Sequence, residues 1–155
     1  MPVAAVDPCS LVTLAEAQAV MPVPLARATL RAVPFAAGDC GYFQVNPPPG
    51  FSTDVSIHII NDVTFYQRPS ARDVLSAYRN DIQNNPGAGA NPVINDVPGI
   101  GDAAFSYTTA DWQTGGGLVV LDGRFVLDIT VERGGSPDLA SEMSLAKIAQ
   151  SRLPH

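Results

Sequence analysis

Residues 117 to 133 read Gly117-Leu-Val-Val-Leu-Asp-Gly-Arg-Phe-Val-Leu-Asp-Ile-Thr-Val-Glu-Arg133. Two apolar, β-branched runs flank Asp122-Gly123, a dipeptide that tolerates the positive φ of a two-residue hairpin turn. On the second arm Phe125, Leu127, Ile129 and Val131 share one face. Arg124, Asp128, Thr130 and Glu132 share the other, with Val126 the exception there. The stretch is a hairpin with one apolar face, and the rest of the chain is read as what covers that face.

Just upstream, Ala103 to Thr108 reads as a strand with Phe105 and Tyr107 on one side. It follows the tight turn Pro98-Gly99-Ile100-Gly101-Asp102, and Val93 to Val97 fits a short strand before it. The loop between strand and hairpin carries the only tryptophan, Trp112. Downstream, Ser136 is expected to cap a last helix, with Pro137 in its first turn and Asp138 complementing its dipole. Its expected buried face is Leu139, Met143, Ala146 and Leu153.

Farther out, Thr53 to Ile60 alternates Val55, Ile57 and Ile59 against Asp54, Ser56 and His58. Cys40 to Val45 is expected to pair with it across the rigid Asn46–Gly50 turn. Ser70 caps an amphipathic helix of about fourteen residues that carries Val74, Leu75, Tyr78 and Ile82 on one stripe. The loop from Asn84 to Asn91 follows it. Thr13-Leu14-Ala15-Glu16 is a capping box that opens an N-terminal helix bearing Leu14, Ala17 and Met21. Leu25 to Val33 fits either a short helix or an irregular strand, and residues 1–7 read as a loose leader. The expectation is a single α+β domain over 1–155, an antiparallel sheet of about five strands with helices packed on one face. The order lacks the βαβαβ alternation of a dinucleotide fold.

The 155 residues suit one domain with a sizeable core, and 15% charged residues is low for a soluble chain. A net charge of −6 argues against nucleic acid and anionic membrane surfaces as partners. No run approaches the ~20 apolar residues of a transmembrane segment. The opening Met-Pro-Val-Ala-Ala-Val-Asp-Pro-Cys lacks the basic and apolar regions of a signal peptide.

Two cysteines, Cys9 and Cys40, stand far apart without the spacing of a zinc site. They are either a disulfide or two buried thiols. The disulfide is favoured, because it would pin the N-terminal helix to a strand, and closing such a loop contributes roughly 3 kcal/mol. A disulfide implies an oxidising compartment.

Asp54, Ser56 and His58 supply the cast of a hydrolase triad on one strand face. Alternate residues of a strand point in parallel about 6.5–7 Å apart, whereas a triad needs successive hydrogen-bond contact. Asp96, Asp102 and Asp111 are scattered and lack calcium-loop spacing, so no metal is expected. Gly99-Ile100-Gly101 and Gly115-Gly116-Gly117 are turn glycines without the following helix of a phosphate site, and no cofactor is expected. Trp112 is either tucked onto the sheet edge or a contact for a partner.

Three stretches together resemble the DUF3558-type secreted and lipoprotein domains of actinobacteria. They are Asp7-Pro8-Cys9-Ser10-Leu11-Val12-Thr13 with Glu16, Gly38-Asp39-Cys40-Gly41-Tyr42, and Val97-Pro98-Gly99-Ile100-Gly101-Asp102-Ala103-Ala104-Phe105 with the hairpin and the closing Arg152-Leu153-Pro154. The resemblance implies an exported domain, often lipid-anchored through its N-terminus, with a disulfide joining helix and strand. It carries across no catalytic residues. The usual lipobox cysteine is absent here, so an anchor would rest on an upstream segment.

The expected function is a non-catalytic extracytoplasmic module at the cell envelope that binds a small apolar ligand or a protein partner. Trp112, Tyr107 and His58 are the candidate binding residues, with the Asn84–Asn91 loop beside them. The alternatives are a small hydrolase using His58, or an inhibitor or assembly subunit that covers another protein.

Overall fold

The structure is a computed structural model that describes residues 6–28, 39–49, 53–62, 66–84, 92–108 and 115–154. Trp112 and positions 85–91 of the Asn84–Asn91 loop lie outside the described residues. The elements in chain order are α1 (Pro8–Leu11), α2 (Leu14–Ala19), β1 (Leu25–Ala28), β2 (Asp39–Gln44), β3 (Asp54–Ile59), α3 (Ala71–Asn84), β4 (Val93–Asp96), β5 (Ala103–Thr108), β6 (Gly116–Asp122), β7 (Phe125–Arg133), β8 (Ser136–Pro137) and α4 (Leu139–Gln150). A single 3-10 turn, Ile60–Asp62, follows β3.

Among the described residues the fold is α+β with one antiparallel sheet, and that sheet has eight strands, not about five. Its order is β1-β2-β3-β7-β6-β5-β4, with β8 paired to β7. The strands beyond five are the short β1, β4 and β8; β4 falls within Val93–Val97, read as a short strand, and β1 within Leu25–Val33, where helix and strand stood open. The β6–β7 hairpin sits at the centre. Its two-residue loop is Gly123-Arg124, because Asp122 pairs with Phe125. The turn therefore lies one residue later than Asp122-Gly123. Gly123 alone takes a positive φ, 55°, at the first central position, the pattern of a II′ turn.

The helices do not share one face. On one side Leu127, Ile129 and Val131 of β7 pack with Leu118 and Val120 of β6 and Val55, Ile57 and Ile59 of β3. Leu145, Ala146 and Ala149 of α4 and Leu11, Val12 and Ala17 near α1 and α2 close that layer. On the other side Val126, Val119, Leu121 and Phe105 pack with Val74 of α3, and Leu75, Tyr78 and Ile82 of the same helix press against them. The expectation of helices on one face is corrected here: α3 takes the opposite side.

Cys9 and Cys40 are joined in a disulfide with Cα atoms 5.2 Å apart. It ties α1 to β2 on the first face, beside a buried bond from the Tyr42 hydroxyl to the Val12 carbonyl at 2.6 Å. The capping box is present at Thr13 and Glu16. Leu14, expected inside, is 40% exposed, while Ala17 and Met21 are buried. The last helix is capped by Asp138, which accepts from the Ser141 amide at 3.2 Å, and not by Ser136, which enters β8. Of its expected buried face Ala146 and Leu153 are buried, Leu139 is 39% exposed, and Leu145 and Ala149 are buried as well.

Candidate functional site

The second face of the sheet divides in two. Over β4, β5, β6 and part of β7 it is apolar and covered by α3. Over β2, β3 and the rest of β7 it is polar. Register aligns three rows there. Asp39 of β2 lies opposite His58 of β3, and His58 lies opposite Asp128 of β7. The next row is Gly41, Ser56 and Thr130, and the third is Phe43, Asp54 and Glu132. Successive rows on one face stand about 6.5–7 Å apart along the strands.

Asp128 is where the two halves meet. It is buried, at 3% exposure, and α3 and β5 each aim a tyrosine at it. The Tyr78 hydroxyl donates to Asp128 Oδ2 at 2.5 Å and the Tyr107 hydroxyl donates to the same oxygen at 2.8 Å. Asp128 Oδ1 has no hydrogen-bond partner among the described contacts. Burial raises the carboxyl above the usual aspartate range, and nearby His58 and the two hydroxyls only partly offset it. Both tyrosines are pushed well above their ordinary value, by burial first and by the Asp128 charge next.

Glycine gives this carboxylate its place. A Cβ on Gly117 would come 2.6 Å from Asp128 Oδ1 and 3.0 Å from the Tyr107 hydroxyl. Leu118 pairs with Ile129, so by the same register Gly117 of β6 lies beside Thr130, and Oδ1 leans over β6 toward Gly117 and the Tyr107 hydroxyl. A Cβ on Gly115 would likewise meet Glu132 Oε1 at 2.4 Å.

At the other end of the first row, His58 Nε2 lies 3.1 Å from Asp39 Oδ1. The pair is at ion-pair distance, but its angle does not make a hydrogen bond, and Asp39 Oδ1 has no other partner. The His58 side chain is 36% exposed and that of Asp39 only 11%. Burial raises the Asp39 carboxyl, while the His58 charge acts the other way. In the third row, burial and the facing Asp54 charge push Glu132 up to about 7, against a bond from the Gly116 amide that favours the charged form.

The structure thus brings together two of the three expected binding residues, Tyr107 and His58, on either side of Asp128. It does not assemble a triad from Asp54, Ser56 and His58. The Ser56 hydroxyl donates to Thr130 Oγ1 at 3.1 Å, and His58 faces Asp39. Asp128 and Asp39 are the residues that sequence reasoning did not single out. The signal was present in Val126, an apolar residue in the polar set of β7, which marks that face as buried too.

A separate cleft of 260 Å³ opens at the β6–β7 turn, lined by Asp122, Gly123, Arg124, Phe125, Leu153 and Pro154. It falls just below the usual size of a small-molecule site, about 300 Å³ and upward. Among the described residues no three His, Cys, Asp or Glu side chains converge as a metal site, and no helix is long and apolar enough to cross a membrane. No protein-family model matches the chain, and neither a curated protein nor a solved structure does.

Proposed function

We propose that the chain is a non-catalytic binding module that works outside the cytoplasm, at the cell envelope, for a small ligand or a protein partner. Its binding surface is the three-row polar half of the second sheet face. The observation that carries the reading is the Asp39–His58–Asp128 row. Three ionisable side chains stand in register on a half-buried surface, and the deepest of them has an oxygen without a partner. Burying such groups costs stability that an apolar replacement would not, so a face selected for folding alone has no reason to hold them. The interfaces beneath α3 and α4 are filled by their own side chains, which favours a polar site over an apolar pocket. The disulfide and the resemblance to exported domains support the location.

The test is native mass spectrometry of protein taken from its own envelope, beside the denatured mass. A surplus of small-molecule size that vanishes on denaturation, and that is missing from the Ser56→Trp variant, is the expected result. A surplus that survives Ser56→Trp would move the binding surface elsewhere.

The hydrolase reading draws on one observation, the Asp39–His58 pair, which is the carboxylate–imidazole half of a triad. Its nucleophile would have to reach the free side of the ring. Unchanged turnover of every screened ester and amide in His58→Ala would remove that reading.

A further inference from the structure

We propose that Asp122-Gly123 is a covalent modification site, where the backbone isomerises to isoaspartate through a succinimide, and that Asp102 and Gln150 hold its two reacting groups apart. The turn stands apart from the polar rows and reacts whether or not they bind anything.

Asp122-Gly123 is the only aspartate or asparagine followed by glycine in the chain. Glycine has no Cβ to crowd its own nitrogen, so the Gly123 amide can attack Cγ of Asp122. The bond that forms is Gly123 N–Cγ. The amide proton leaves with one carboxyl oxygen and its proton as water, and a cyclic succinimide remains. Water then adds to either ring carbonyl. Opening at the side-chain carbonyl restores aspartate. Opening at the main-chain carbonyl gives isoaspartate, whose backbone runs through the former side chain. That adds a methylene beside the turn that sets the register of the central hairpin.

The fold restrains both reacting groups. The Gly123 amide donates to Asp102 Oδ2 at 2.8 Å. Asp102 is itself anchored, since its own amide donates to the Leu121 carbonyl at 2.8 Å. The Gln150 side-chain amide donates to Asp122 Oδ2 at 2.6 Å. The nucleophile is thus tied to the turn before β5, and the electrophile to the end of α4. Asp122 is also the last residue of β6 and pairs with Phe125. Ring closure swings its peptide out of the extended conformation and gives up that pairing with both polar bonds. Packing adds no restraint at Gly123, which is exposed and where a Cβ would meet nothing within 4 Å. Both residues line the cleft at the turn, where water can reach the ring.

The experiment is incubation of the whole disulfide-bonded chain at mildly acidic pH, folded and in denaturant, followed by peptide mapping that separates isoaspartyl from aspartyl peptides. Residue 122 is expected to convert faster in denaturant than in the folded chain. Asp102→Ala and Gln150→Ala should each speed the folded chain by about fivefold, the effect of losing one ordinary hydrogen bond. Gln150 lies outside the buried core, so its variant carries the test if Asp102→Ala unfolds. Thr130→Ala, on the same hairpin but away from the turn, shows what loosening the fold does by itself. Asp102→Asn keeps an acceptor but no base, and should match the native rate. No isoaspartate at residue 122 in denaturant overturns the site. Equal rates folded and denatured, or a Gln150→Ala rate no higher than that of Thr130→Ala, overturn the restraint. A slower reaction in Asp102→Asn would make Asp102 the base that drives ring closure, which also overturns it.

Discussion

The two faces of the sheet are built from alternate residues of the same strands, yet they are composed for different ends. On β7 the first face is Phe125, Leu127, Ile129 and Val131, none more than 1% exposed. The second is Val126, Asp128, Thr130 and Glu132, of which Val126, Asp128 and Glu132 are also buried, at 0, 3 and 3%. Burial does not separate the faces; chemistry does. The first face receives α1, α2, α4 and the disulfide. The second receives one helix, α3, over its apolar half, and keeps ionisable groups over the rest. The first face is apolar almost throughout, whereas the second holds ionisable groups whose burial costs stability unless they are paired.

The widest gap between the faces should appear at neighbouring residues of β7. Ile129→Ala on the first face removes a fully buried side chain and should cost about 4 kcal/mol, read from the denaturant midpoint. Thr130→Ala on the second removes a half-buried hydroxyl that accepts from Ser56, and should cost about 1 kcal/mol. Near-equal losses would show that the second face also bears the fold, and the contrast would break.

The disulfide belongs wholly to the first face. Replacing Cys9 and Cys40 together by serine should cost about 3 kcal/mol, measured the same way. Intact mass with and without reduction and alkylation reports the bond directly. Two free thiols in protein from an oxidising compartment would refute it.

Much of the first face was legible in the sequence. The alternation in β3 and β7 named Val55, Ile57, Ile59, Leu127, Ile129 and Val131, all of them buried. The capping box at Thr13 and the span of α3 from Ser70 onward also stood as read. The second face was not legible, because the apolar stripe of α3 records that it must pack and not which side of the sheet it packs on. The continuous run Leu118-Val119-Val120-Leu121 carried the missing information. A strand apolar at every position is buried on both sides, and an alternating reading of β7 overrode it. The polar rows depend on the register of three strands distant in sequence, which no local pattern encodes. Asp128 and Asp39 emerge only once β2, β3 and β7 are aligned.

Among the described residues the first face holds one buried carboxyl. Glu142 of α4 is 1% exposed, accepts from the Val131 amide at 3.2 Å, and is pushed up to about 8 by burial, with Asp128, Asp138 and Glu132 adding to it. A carboxyl raised in the folded state binds its proton more tightly there than in the unfolded chain. Its stabilising contribution is therefore complete below the ordinary value of 4.5 and is lost as pH rises toward about 8. Glu132, raised to about 7, acts in the same direction. Stability should fall between pH 5 and pH 8, by up to ~1.4 kcal/mol per pH unit for each group. Glu142→Gln keeps an acceptor for Val131 and removes the charge, so it should gain about 1–2 kcal/mol at pH 8 and almost nothing at pH 5. A pH profile unchanged in Glu142→Gln would assign the slope to the second face.

The smallest effect lies at the far edge of the second face, where charge sits in solvent. Arg79 of α3 meets Asp96 of β4 at 2.6 Å, but the two side chains are 40 and 79% exposed. The same guanidinium lies 5.2 Å from the centre of the Phe105 ring. Two interactions therefore meet at one residue, and single changes separate them. Asp96→Asn removes only the ion pair and should cost less than about 0.5 kcal/mol, vanishing in high salt. Arg79→Gln removes the ring contact as well and should cost about 1 kcal/mol, most of it insensitive to salt. A loss in Asp96→Asn as large as that in Arg79→Gln would mean that charge holds β4 to α3. The second face would then be organised by ion pairs from edge to centre, and its apolar half would no longer be a separate region.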